Sequence, residues 1–183
     1  MDVYGNLMFR TVAGGQCAVY DLNTNATSLT AIGYFNLGSY TGNSDTNHAD
    51  CLCFSDEFYD ANDPFPLLYV TAGDADHGEC FVERIQRSGN TFSSTLVQTI
   101  TINVSSLTGS GLRWGFPWVQ FHSYNGYLYT IGHVSRAVPL DQNGSSKFNN
   151  AHIITKFNRP SISRSSVTLA WTDVDNQWTT KYD

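Results

Sequence analysis

The sequence has little charge and no long apolar run. Lys, Arg, Asp and Glu together make up 14% of the 183 residues, against about a quarter in an average globular chain. Ten basic residues face sixteen acidic ones, for a net charge of −6. The basic residues are scattered, with only Arg84 and Arg87 close together on one predicted strand. This excludes a nucleic-acid partner, because neutralising phosphates takes clustered Lys and Arg. No stretch approaches the roughly 18 apolar residues of a membrane-spanning helix. The opening segment, MDVYGNLMFR, has neither the basic nor the apolar region of an export signal. No run carries apolar residues at helical spacing. G-x-S-x-G, H-E-x-x-H and phosphate-cradling glycine loops are missing, so no residue is nominated as catalytic.

What the sequence does contain is abundant Gly, Ser, Thr and Asn, with 14% aromatic residues. That mixture favours short strands joined by many turns. A pattern of two apolar-alternating runs joined by a Gly-bearing turn returns about every 60 residues, the mark of stacked supersecondary units. It reads YGNLMFRTVAGGQCAVYDLN around Leu7, FPLLYVTAGDADHGECFVERIQ around Leu68 and YNGYLYTIGHV around Leu128, resuming as AHIITKFN after an insertion.

The middle copy predicts strands over residues 50–55, 67–72, 79–86 and 94–102, with turn-forming connectors between them. The third copy predicts them over 117–122, 127–132, 151–158 and 166–171. The first copy supplies only 7–11, 16–21 and 30–35 and lacks an opening strand. The expected fold is all-β, a β-propeller fragment or half-ring of about three four-stranded antiparallel blades. Its parts are a partial blade over 1–37, blades over 48–103 and 116–171, and a tail over 172–183 that starts a further blade.

The segments His48-Ala-Asp-Cys-Leu-Cys-Phe54, Tyr59-Asp60 through Asp63-Pro-Phe-Pro-Leu-Leu-Tyr-Val70, and Val82-Glu-Arg-Ile85 carry a family resemblance. The chain resembles poorly characterised secreted bacterial propellers of the six-bladed, lipoprotein-like kind. The resemblance implies a periplasmic, cell-surface or extracellular location. It brings no catalytic residues with it. Three blades do not close a ring, and each open face would expose about 500 Å² of apolar surface, on the order of 12 kcal/mol. Further blades of the same chain, or a second copy, are the expected partners. The first is favoured, with Met1 read as an internal residue, because both ends fall inside a repeat.

In a propeller the loops between second and third strands share a face with those linking successive blades. Here that face collects residues 38–49, 73–78, 103–116 and 135–150, and loops on a rigid scaffold are where binding residues concentrate. The candidate ligand-binding residues are His48, Asp50, Asp74, Asp76, His77, Arg113, Trp114, His133 and Arg136. Trp114 and Tyr40 suit stacking on a sugar ring. Against this, His48 and Asp50 also suit bonding to turn backbone. Asp74 and Asp76 have a spacing that converges on a cation such as Ca²⁺. The other ligands of a calcium loop are missing, so a solvated acidic turn is the favoured reading and no cofactor is assigned. Asp56, Glu57, Asp60 and Asp63 fall on the opposite face and are read as shaping the connector before Pro64.

Cys17, Cys51, Cys53 and Cys80 are read mainly as buried thiols, with a disulfide or a metal site left open. The expected function is a non-catalytic scaffold that binds carbohydrate or peptide. The alternatives are a glycan-active hydrolase or lyase with catalytic groups on missing blades, and a structural assembly surface.

Overall fold

The computed structural model describes the chain except residues 24, 26, 44–46, 73–78, 104–113, 135–151, 171–174 and 179–183, and except the side chains of 114–118, 131–134, 152–153 and 175–178. The described residues contain thirteen strands and no helix. β1 (Asp2–Tyr4), β2 (Leu7–Val12), β3 (Gln16–Asp21) and β4 (Ala31–Asn36) form an antiparallel meander in that order. A second sheet contains β5 (Leu52–Phe54), β6 (Leu68–Thr71), β7 (Glu79–Ser88) and β8 (Thr91–Asn103). A third runs through β9 (Trp114–His122), β10 (Tyr127–Val134) and β11 (His152–Asn158). Two more strands, β12 (Ser166–Ala170) and β13 (Asp175–Trp178), complete the set.

Two strands depart from the expected order. The first unit does have an opening strand: Asp2–Tyr4 pairs with β2 through Asp2↔Phe9 and Tyr4↔Leu7. Its three residues are too few for a period-two signal to register. Residues 166–171 were expected to complete the third sheet. Instead β12 adds in parallel to β8, Ser166 opposite Thr99, and β13 takes the fourth place beside β11. The cause lies in the connector before β12. The Gln98 amide donates to the carbonyls of Ser161 (2.9 Å) and Arg164 (2.8 Å), and the Thr99 amide donates to Ser165 O at 2.9 Å. These bonds deliver β12 to the outer edge of β8, the side away from β7, and cover the C-terminal part of that edge.

Alternation along the middle strands builds two cores, one on each face of the second sheet. Leu52, Phe54, Leu68, Val70 and Ile85 pack with Leu7, Phe9, Val19 and Phe35 of the first sheet. Cys53, Tyr69, Cys80, Val82 and Ile100 pack with Val119, Phe121, Leu128 and Phe157 of the third. The second sheet therefore lies between the other two, face to face. Phe9 anchors the first core, meeting Phe54 edge-on at 5.1 Å and Phe65 at 5.2 Å, contacts worth about 0.5–1.5 kcal/mol each beyond area burial.

A bulge decides which residues of β8 serve which core. Val82 pairs with Gln98 but Glu83 pairs with Leu96, leaving Val97 as the extra residue. C-terminal to it, Ile100 and Ile102 face the third sheet. N-terminal to it the parity flips, and Phe92 faces the first. On that side the carboxylate of Glu83, fully buried, fastens the first unit to the second. It accepts from the amides of Gly38 (2.9 Å) and Ser39 (2.8 Å) and from the Ser94 hydroxyl (2.7 Å). Position 38 must be glycine, because a Cβ there would overlap the Leu96 amide nitrogen and lie 2.7 Å from the Thr95 carbonyl carbon.

Candidate functional site

The β2–β3 turn and the loop leading into β5 interlock, and this positions His48 and Asp50. Gly14 and Gly15 both have φ of +88°, a conformation that favours glycine. Their close approach lets the Gly14 amide donate to Asn47 O at 2.7 Å. Asn47 is fully buried; its side chain donates to Ser39 O at 2.9 Å and accepts from the Ala49 amide at 3.0 Å. Ala49 is 1% exposed, sits at φ 47°, and has its carbonyl bonded by the Thr11 hydroxyl. With Asn47 and Ala49 held inside, the alternating neighbours His48 and Asp50 project outward. Their side chains are 43% and 40% exposed, and His48 Nδ1 lies 3.6 Å from Asp50 Oδ1. The backbone bonds that brace this loop come from Asn47 and from the His48 amide, which donates to Ala72 O at 2.8 Å. Tyr40 is exposed on the same loop, with its hydroxyl edge over Gly42.

The remaining predicted residues are placed less fully. Asp74, Asp76, His77, Arg113 and Arg136 lie outside the described residues, and so does the cation reading of the 73–78 turn. Trp114 and His133 are described through their backbone. Trp114 pairs with Val134, and His133 pairs with Gly115 and His152, so the fold brings the two positions to one end of the third sheet. Phe116 and Pro117 fall in a bulge of that pairing, which is how a proline sits within β9.

At the other end of the middle sheet the structure assembles a group that the sequence reading took only as connector. The Arg84 guanidinium forks onto Asp63, with Nε 2.8 Å from Oδ2 and Nη2 2.6 Å from Oδ1. Asp63 is 5% exposed, and Arg84 holds its carboxyl below the usual carboxylate range. The Tyr59 ring lies 4.7 Å from the guanidinium carbon. Beside them is a cavity of about 290 Å³ whose wall includes Tyr59, Arg84, Thr95, Ile162, Ser163 and Ser165. On the same connector, Asp56 and Glu57 are reached by Arg159, which covers the Phe121 ring at 4.8 Å and ties the β5–β6 connector to the third sheet. Nothing local in the sequence marks this cavity, because Asp63 and Arg84 are 21 residues apart and Ser163 arrives only with the displaced β12.

All four cysteines are free thiols. Burial pushes Cys17 up to about 12 and raises Cys53 and Cys80 well above the usual thiol range. Cys51 is half-buried, with its Sγ 3.6 Å from Val119 O. Among the described residues no group of three or more His, Cys, Asp or Glu side chains could hold a metal ion. No helix among them is long and apolar enough to cross a membrane. No family model, curated protein or solved structure matches this chain.

Proposed function

We propose that the chain is a non-catalytic ligand-binding scaffold of propeller type, part of an exported bacterial protein, that takes carbohydrate or peptide on its loop rim. Three face-packed sheets built from a repeated meander support the blade reading. So does the stacking of opening strands, with β1 against β5 and β5 against β9. The observation that carries the function is the rim loop. Buried Asn47 and Ala49 fix its backbone over residues 47–49, while an imidazole and a carboxylate 3.6 Å apart stand exposed. Preorganised polar groups on a fixed backbone bind without an ordering cost, and Tyr40 adds an aromatic face.

A saccharide and peptide array, followed by titration of any hit, tests this reading. The expected result is a ligand whose binding is weakened roughly tenfold or more by His48→Ala and by Asp50→Ala, about the effect of losing one charge-assisted hydrogen bond. Binding untouched by both substitutions would refute the rim assignment. Chemical turnover of the bound ligand would refute the non-catalytic reading.

A further inference from the structure

We propose that the cavity beside Arg84 is a second ligand site, separate from the His48 rim, and that it accepts a single neutral saccharide ring. The two sites lie at opposite ends of the middle sheet, since His48 precedes β5 and Tyr59 follows it. At about 290 Å³ the space is a pocket open to solvent, just below the usual range for small-molecule sites, with room for one partly covered ring.

Its chemistry is set by what Arg84 does not use. Nε and Nη2 are engaged by Asp63, and the Tyr59 ring restrains the guanidinium from a further direction. The Nη1 donors have no hydrogen-bond partner among the described residues, and neither do the Thr95 and Ser165 hydroxyls. Asp63 neutralises the guanidinium, so an anion would find no net charge. A neutral polyol would find fixed donors, with hydroxyls that both donate and accept. Vicinal sugar hydroxyls need that combination, and the C–H face of the ring would lie on the apolar Leu96, Val97 and Ile162 of the wall. The wall is preformed, because the Gln98 amide, fully buried, holds the Ser161 and Arg164 carbonyls on either side of Ile162 and Ser163.

The test is saturation-transfer NMR and calorimetric titration of the full chain against a panel of neutral, acidic and amino sugars, with a random pentapeptide library in parallel. At least one neutral saccharide is expected to bind with little dependence on salt. Arg84→Lys keeps the positive charge beside Asp63 but removes Nη1, and Ser165→Trp fills the cavity without touching the Arg84–Asp63 pair. Each is expected to weaken binding roughly tenfold or more, with melting profiles confirming that both fold. His48→Ala is expected to leave this binding unchanged, which separates the site from the rim. The proposal is overturned if no saccharide binds, if binding survives both cavity variants, or if His48→Ala removes it. Binding only of peptides, or only of acidic sugars with steep salt dependence, also overturns it.

Discussion

Replacing Glu83 tests how the units are joined. The carboxylate is buried between the first and second sheets and satisfies the Gly38 and Ser39 amides and the Ser94 hydroxyl. Glu83→Ala leaves the two amides without an acceptor, each costing about 1–3 kcal/mol, while the Ser94 hydroxyl can rotate to another partner. The small void left behind adds to this, so the expected loss is about 3–5 kcal/mol. Glu83→Gln keeps the shape and one acceptor oxygen but turns an NH₂ toward one donor, and is expected to lose about half as much. Urea unfolding followed by tryptophan fluorescence reads both variants. With a urea m-value of about 3 kcal/mol/M, Glu83→Ala lowers the midpoint by roughly 1–2 M. A loss below about 1 kcal/mol for Glu83→Ala, or equal losses for Ala and Gln, would refute the account. Gly38→Ala strikes the same seam through steric overlap at Leu96 and Thr95. Its effect should therefore combine with that of Glu83→Ala less than additively.

Two pH predictions follow from the buried and paired groups. Cys17 has its pKa raised to about 12 from 9.0 by burial, so the unfolded chain loses this proton first as pH rises. The contribution of Cys17 itself, full below pH 9, should fall above it with a slope of up to about 1.4 kcal/mol per pH unit, until pH passes about 12. Cys17→Ala should make the alkaline limb less steep in urea titrations, the buried Cys53 and Cys80 keeping their share, and an unchanged slope would contradict the burial argument. Asp63 is shifted the other way, chiefly by its hydrogen bonds from Arg84. Its contribution is present above the ordinary carboxyl pKa of 3.8 and should disappear as pH falls through the lowered value. Asp63→Asn should make acid unfolding less steep, and an acid limb identical to wild type would show that the pair does not form in solution.

Much of the site could not be read from residue order, and the reasons are specific. The position of His48 and Asp50 at the start of a strand pattern was legible, because a turn-rich segment gives way there to apolar alternation. Their outward projection was not, since it depends on Asn47 and Ala49 being drawn inward by Gly14, Ser39 and Thr11, partners 8 to 38 residues away. The Arg84 cavity was invisible for the same reason. Arg84 read as a strand cation near Arg87, and Asp63 as a connector residue, until the β5–β6 connector folded back onto β7.

Local alternation and turn chemistry in the sequence were enough to establish an all-β chain, because side-chain parity and Gly, Pro and Asx placement act within a few residues. Tertiary structure alone decided the partner of each edge and the face of each segment. The strand signal at residues 166–170 named no neighbour; the Gln98 amide and the open edge of β8 chose it. Likewise the unbroken pattern of β8 hides the bulge at Val97, which sends Phe92 to one core and Ile100 to the other. Such choices depend on contacts between groups far apart along the chain, and a one-dimensional period does not encode them.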